Sequence, residues 1–204
     1  MFSFCKTRIK SETRSTTIDG GRIDYYRDGC NYRNGRIEYY RNGCRNSKTY
    51  VKNNKVHRID GPAYISYNVY GTIQTAVWYN NGIKHRINNP ACNYYINGTI
   101  WLEEWYVNDK HHRLDGPATI FYSNGILKEE GWYNNDMCNR LDGPARIRYN
   151  NGLLEKEEWY TNGKLHRVDG PAVIYYNVHG SITKEIWYID DKFTDDKFTD
   201  GPGF

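Results

Sequence analysis

From residue 49 onward the chain alternates apolar and polar positions in short runs, each closed by Gly, Pro, Asn or Asp. Ala118/Ile120/Tyr122, Ala145/Ile147/Tyr149 and Ala172/Ile174/Tyr176 are spaced by two, and Ala63/Tyr67 and Ala91/Tyr95 keep the ends of the same pattern. A period of two predicts strands that turn these residues to one sheet face. A second run in each unit carries an aromatic column, Trp78, Trp105, Trp132, Trp159 and Trp187, each followed by Tyr. Strict alternation puts Trp on one face and Tyr on the other, the Tyr sharing its face with Ile73, Ile100, Leu127, Leu154 and Ile182 in turn.

Three turns separate the runs. Asn81-Gly82, Asn108-Asp109, Asn135-Asp136 and Asn162-Gly163 follow the Trp-Tyr pair, where a hairpin needs residues that tolerate positive φ. Gly71, Gly98, Gly125, Gly152 and Gly180 mark a second turn. The third is Asp-Gly-Pro-Ala, starting at Asp60, Asp115, Asp142 and Asp169. Proline fixes φ and donates no ladder bond, so it suits the first residue of a strand.

The Trp column steps by 27, 27, 27 and 28 residues. A fixed period of this size means an array whose units bury their apolar faces against neighbours. The predicted fold is all-β: an elongated antiparallel β-meander repeat array with two strands per unit, roughly 4.8 Å apart. Three regions follow from the pattern. Residues 1–17 are a polar, basic N-terminal tail without periodicity. Residues 18–48 hold short degenerate repeats, Gly21–Gly29 and Gly35–Gly43, which share a Gly-Arg-Ile-acid-Tyr-Tyr-Arg sequence. Residues 49–204 hold the long repeats and end in an atypical cap, where Asp-Asp-Lys-Phe-Thr occurs at Asp190 and again at Asp195.

Composition and charge alter this picture in two ways. Only 38% of the chain is hydrophobic while Tyr supplies 20 positions, so aromatics must do much of the packing. No run of about 18 apolar residues is present, and Met1-Phe2-Ser3-Phe4-Cys5-Lys6 lacks the apolar stretch of a signal peptide, which predicts a cytoplasmic protein without a transmembrane segment. Five cysteines form no CxxC pair, which argues against a disulfide framework. The net charge of +4 conceals a polarity: residues 1–58 carry 14 Lys and Arg against 5 Asp and Glu, +9, leaving −5 for the rest. Such asymmetry marks either attraction to nucleic acid, acidic lipid or an acidic protein surface, or a solvated face.

The unit Trp159-Tyr-Thr-Asn-Gly-Lys-Leu-His-Arg-Val-Asp-Gly-Pro-Ala-Val-Ile-Tyr-Tyr176 resembles the MORN repeat family, with its aromatic before Asn-Gly-Lys, its following His and its second Gly turn. The likeness covers about residues 18–204. It departs from that family in having Arg-x-Asp-Gly-Pro in place of a Gly-x-Gly start and a unit about four residues longer. It implies a two-strand-per-repeat sheet that serves as a scaffold for protein contacts, or for self-association, and sometimes touches acidic lipid. Long divergent copies also resemble repeat proteins of large DNA viruses and phages, which implies a host-cytoplasmic or virion setting.

Candidate chemistry is sparse. No Walker loop, GxSxG, HExxH or zinc spacing occurs, so the chain is not expected to be an enzyme, and no catalytic residue, metal or cofactor is assigned. His57-Arg58, His85-Arg86, His112-Arg113, Asn139-Arg140 and His166-Arg167 recur one repeat apart, about 10 Å in a meander, too far to meet at one metal. Arg58, Arg113, Arg140 and Arg167 stand two residues before Asp60, Asp115, Asp142 and Asp169, which predicts a local Arg-carboxylate pair or an Asp-to-backbone turn bond. Neighbouring Glu103 and Glu104 point to opposite faces and cannot act together. The remaining candidate is the basic aromatic segment: Arg22, Arg27, Arg33, Arg36, Arg41 and Arg45 with Tyr26 and Tyr40, a mixture able to pair phosphates and stack on bases. The same mixture also serves strand packing with snorkelled Arg. A protein-binding scaffold is thus the leading expectation, and a nucleotide or nucleic-acid binder using this segment is the alternative.

Overall fold

The computed structural model describes residues 12–18, 21–28 and 33–199, of which 12–14, 18, 21–22, 26–28 and 33–34 are described by their backbone alone. The chain forms two compact units, Met1–Ile83 and Lys84–Phe204. Among the described residues all regular structure is β, and no helix is long and apolar enough to cross a membrane.

The first unit contains β1 (Glu12–Ile18), β2 (Gly21–Asp28), β3 (Arg33–Tyr39), β4 (Arg45–Lys52), β5 (Lys55–Val56), β6 (Tyr64–Tyr67), β7 (Ile73–Val77) and β8 (Tyr79–Asn80). Its sheet runs β1-β2-β3-β4-β6-β7, with β5 folded back onto the end of β4. β1 therefore takes up part of the stretch read as a tail, and β4 runs through residue 48. The short strand β9 (Ile83–Lys84) spans the boundary of the units.

The second unit repeats one plan. Long hairpins are formed by β10 (Cys92–Ile96) with β11 (Thr99–Glu104), β14 (Thr119–Ser123) with β15 (Ile126–Gly131), β18 (Arg146–Asn150) with β19 (Leu153–Glu158), and β22 (Val173–Tyr176) with β23 (Ile182–Ile189). They join in the order β10-β11-β14-β15-β18-β19-β22-β23, and β24 (Lys192–Phe198) closes the sheet. Every neighbouring pair from β10 to β24 in this order is antiparallel. The expected meander with two long strands per repeat is thus what forms. Between long hairpins the chain adds a small one: β12 (Tyr106–Val107) with β13 (Lys110–His111), β16 (Tyr133–Asn134) with β17 (Met137–Cys138), and β20 (Tyr160–Thr161) with β21 (Lys164–Leu165).

One irregularity recurs in every copy and overturns part of the face assignment. The register slips once per hairpin, leaving Trp101, Lys128, Glu155 and Thr183 unopposed in the second strand, as Asn46 and Gln74 are in the first unit. These bulges fall 27 or 28 residues apart. A bulged residue resets the alternation. Leu127 consequently shares a face with Trp132, while Tyr133 lies on the opposite face, where its ring would stand 2.8 Å from a Cβ at Gly131. Strict alternation had paired Leu127 with Tyr133. The first strands carry no bulge, and Ala118, Ile120 and Tyr122 do share one face.

The core lies in a row of alternating large and small residues. Trp105 N–H donates to Ala118 O at 2.8 Å, Ala118 N–H to Gly131 O at 2.8 Å, and Trp132 N–H to Ala145 O at 2.7 Å. Extending the register of β11, β14 and β15 by one residue sets Ala118 between Trp105 and Trp132 on one face. Ala63, Ala91, Ala118, Ala145 and Ala172 have no exposed surface. A methyl fits because the indoles on either side occupy the space above it.

Candidate partner-binding surface

The Arg-x-Asp-Gly-Pro segment builds itself around the aromatic column. The guanidinium carbons of Arg113, Arg140 and Arg167 lie 4.4, 4.2 and 4.2 Å over the rings of Trp105, Trp132 and Trp159, and Arg58 lies 4.2 Å over Tyr50, which takes the Trp place in the first long copy. Each Arg Nε donates to the Asp two residues on: Arg58 to Asp60 at 2.8 Å, Arg113 to Asp115 at 2.9 Å, Arg140 to Asp142 at 2.9 Å and Arg167 to Asp169 at 3.2 Å. Each Nη1 reaches the carbonyl of the Pro four residues on, at 3.3–3.4 Å. Gly is needed between them, because a Cβ at Gly116 or Gly143 would stand 2.8 or 3.0 Å from the Arg Cζ. The Arg-carboxylate pair expected from spacing is present in all four copies, and its stacking on Trp is an addition that spacing did not reveal. The neighbouring guanidinium holds the carboxyls of Asp115 and Asp142 below the usual Asp value.

The His column does a different job from the Arg beside it. His57 Nδ1 accepts the Asn81 N–H at 3.0 Å, and His166 Nδ1 accepts the Asp190 N–H at 3.3 Å. Where Asn139 replaces His, its Oδ1 accepts the Asn162 N–H at 3.0 Å. At His57, His166 and Asn139 the side chain is therefore an acceptor for the hairpin turn of the next repeat, with Asp190 Oδ1 also 3.1 Å from His166 Nδ1, whereas Nδ1 of His85 and of His112 is buried without a hydrogen-bond partner. The second turn residue adds to this link: Asp109, Asp136 and Asp191 donate N–H to Lys84, His111 and Leu165 carbonyls at 3.0–3.1 Å, and accept the N–H of the same three residues on Oδ1 at 2.7–2.8 Å. Gly82 and Gly163, in the Asn-Gly variants, make the first bond only through their own N–H, to Val56 and Cys138 carbonyls at 2.7 and 2.9 Å. Small hairpins thus stack turn on turn.

The glutamates tie neighbouring repeats as well. Tyr122, Tyr149 and Tyr176 hydroxyls donate to Glu103, Glu130 and Glu157 at 3.1, 2.8 and 2.6 Å. Burial and the adjacent Glu103 carboxylate push the Tyr122 hydroxyl up to about 12. On the opposite face an open groove of about 490 Å³ holds Glu104, His111, Glu129 and Arg146. Its charges engage one another: Glu129 faces Arg146 and Arg148 at 2.9 and 3.0 Å, while Glu104 accepts from Tyr94 and Tyr106 and lies 3.2 Å from His111 Nε2. Burial alone would raise the Glu104 pKa, but the hydrogen bonds and charge around it, His111 first, hold it below the usual value.

The basic aromatic segment is also partly occupied. Arg36 pairs with Glu38 at 2.9 Å, Arg45 lies 5.6 Å over Tyr67, and the Tyr40 hydroxyl donates to Tyr67 O at 2.8 Å. Arg41 is exposed. The side chains of Arg22, Tyr26, Arg27 and Arg33 lie outside the described residues. The register sets Arg36 opposite Tyr25 on β2 and Thr49 on β4.

What stands clear of all these bonds is the residue after the Arg, followed by Asp in four copies and by Asn88 in the other. Ile87, Leu114, Leu141 and Val168 in the second unit are 74–94% exposed, and Ile59 in the first is 75% exposed. Arg turns inward onto the indole, so the next side chain must point out. Between consecutive turns run two open grooves, one of about 730 Å³ walled by Leu114 and Leu141 and one of about 580 Å³ walled by Leu141 and Val168. Their rims carry Asp115, Asp142 and Asp169. Sequence reading passed over this column, although an aliphatic residue at x in five copies was visible there. No protein-family model matches the chain, and no curated protein matches it.

Proposed function

We propose that this chain is a non-enzymatic repeat scaffold that holds a partner protein along the aliphatic turn column of its second unit. The observation that supports this is the column itself. The Arg and Asp of the repeat are hydrogen-bonded and ion-paired within the array, whereas Ile87, Leu114, Leu141 and Val168 leave 74–94% of their surface exposed. Scattered exposed aliphatics are ordinary, but a column of them beside grooves is the mark of an interaction surface. The residue varies among Ile, Leu and Val while staying aliphatic. The likeness to MORN repeats, and with it a cytoplasmic or virion scaffold that binds protein or self-associates, belongs to this same reading.

The test is a triple variant, Leu114→Ser with Leu141→Ser and Val168→Ser, compared with the parent by proximity labelling in the producing cell and by thermal melting. The expected result is an unchanged melting temperature with loss of the proteins labelled by the parent. Identical labelling by both would remove the reading.

A second reading is favoured by charge. Residues 1–83 hold 14 Lys and Arg against 6 Asp and Glu, +8, and residues 84–204 hold 14 against 18, −4. A basic first unit suits nucleotide, nucleic acid or acidic lipid. Salt-sensitive binding of a phosphorylated ligand that is lost in Arg36→Ala/Arg41→Ala would support it, and absence of binding across such ligands would remove it.

A further inference from the structure

We infer that the segment received by the turn column is an extended one in polyproline II conformation, with an apolar side chain at every third position and Lys or Arg between. This rests on the scaffold reading above and names the partner of that site. The first argument is spacing. Two strands per repeat set successive grooves roughly 9.6 Å apart. Same-side residues of a polyproline II segment recur about every 9.3 Å. Same-side positions of a flat strand fall at roughly 7 or 13 Å, and those seven apart on an α-helix at about 10.5 Å.

The second argument is twist. Neighbouring strands rotate by about 20–25°, so successive turns are displaced around the sheet as well as along it. A straight helix loses contact after one groove, whereas an extended chain without internal hydrogen bonds can follow the column. The third is charge. The side chains of Asp115, Asp142 and Asp169 are 84–86% exposed, but those of the Arg partners are 24–26% exposed. A ligand arriving at the rim therefore meets carboxylate, while each guanidinium lies beneath it on an indole. Apolar side chains dropping between Leu114 and Leu141, and between Leu141 and Val168, leave the intervening residues level with that acidic rim. Basic residues are the ones that complement it.

The experiment uses the whole chain and a fluorescein-labelled nonapeptide of three Leu-Pro-Lys units, titrated by anisotropy at low and physiological salt. Comparison peptides are three Leu-Pro-Glu units, a version with Gly inserted after each unit, and a helical peptide with Leu seven residues apart. The Leu-Pro-Lys peptide is expected to bind at least about tenfold more tightly than the others, with weakening by salt. Leu141→Ser, which removes the wall common to both grooves, is expected to reduce that affinity by at least about tenfold at unchanged melting temperature. Equal binding of all peptides, tighter binding of the helical one, no binding of any, or indifference to Leu141→Ser would each overturn the inference. If the peptides fail while the triple Ser variant still loses its partners in the cell, the peptide chemistry falls and the scaffold stands. If the Ser variant loses nothing there either, both fall.

Discussion

Asn139 shows what the His column is for. Its Oδ1 takes the turn N–H that His57 and His166 take with Nδ1, so in these three copies the position works as an acceptor and an amide can stand in for the ring. His57→Asn should therefore melt close to the parent, whereas His57→Leu, equally buried but without an acceptor, should lose about 1 kcal/mol, measured by urea titration. The neighbouring Arg is less replaceable. Its planar fork stacks on Trp, pairs with Asp and reaches the Pro carbonyl at once, and Lys can reproduce none of that geometry. Arg140→Lys should cost about 1–3 kcal/mol in the same titration. The sign of the pH dependence follows from the Asp partners. The folded pKa of Asp115 and Asp142 lies below the unfolded value, so their contribution is complete above the unfolded carboxyl range and is lost as pH falls through the folded value. Melting temperature should hold from neutral pH to about 5 and decline below about 4, and Asp142→Asn should flatten that decline.

The unit of construction is a long hairpin plus a small one. The small hairpin is joined to its predecessor by one or two bonds from its second turn residue, and the difference between Asn-Gly and Asn-Asp turns decides which. Asp136 sits at φ 68° and Gly163 at φ 81°, so Asp accepts left-handed strain that Gly does not feel. In return its carboxylate receives the His111 N–H, and it lies 3.3 Å from His111 Nδ1. A charged acceptor is worth about 1.5–3 kcal/mol against a strain at the low end of about 1–3 kcal/mol, because the short polar side chain of Asp bonds locally in this region. Asp136→Gly should thus destabilise modestly and speed hydrogen exchange at the His111 amide. The large-small row makes an opposite demand. Ala145 lies between Trp132 and Trp159, and Ala145→Leu should overpack it at a cost of about 1–3 kcal/mol, read from chemical denaturation.

At the scale of the whole molecule, the last described strand of the second unit is built from the C-terminal duplication. The first Asp-Asp pair, Asp190 and Asp191, makes the turn at φ 50° and 64°, and the rest of both copies extends as β24 against β23. Lys192, Asp195, Asp196 and Lys197 are exposed along that outer strand, with a bulge at Thr194, which discourages another sheet from adding on. Removing residues 192–204 should bare β23 and yield concentration-dependent oligomers by light scattering, where the parent scatters less. The repeat length, the meander, its turns and the Arg-Asp pair were legible in sequence because each depends on residues within one unit. The bulge was not, since a residue unopposed across a strand pair leaves the local alternation looking intact until the partner strand is in place. The Trp-Ala row, the acceptor role that Asn139 shares with His57 and His166, and the exposure of the aliphatic column were equally hidden. Each depends on what lies one repeat away, or on which side chain is left pointing outward once Arg has turned in. The chain's own order determined the kind of sheet and its period, and only the packing of repeat on repeat decided which residues are joints and which remain free to meet a partner.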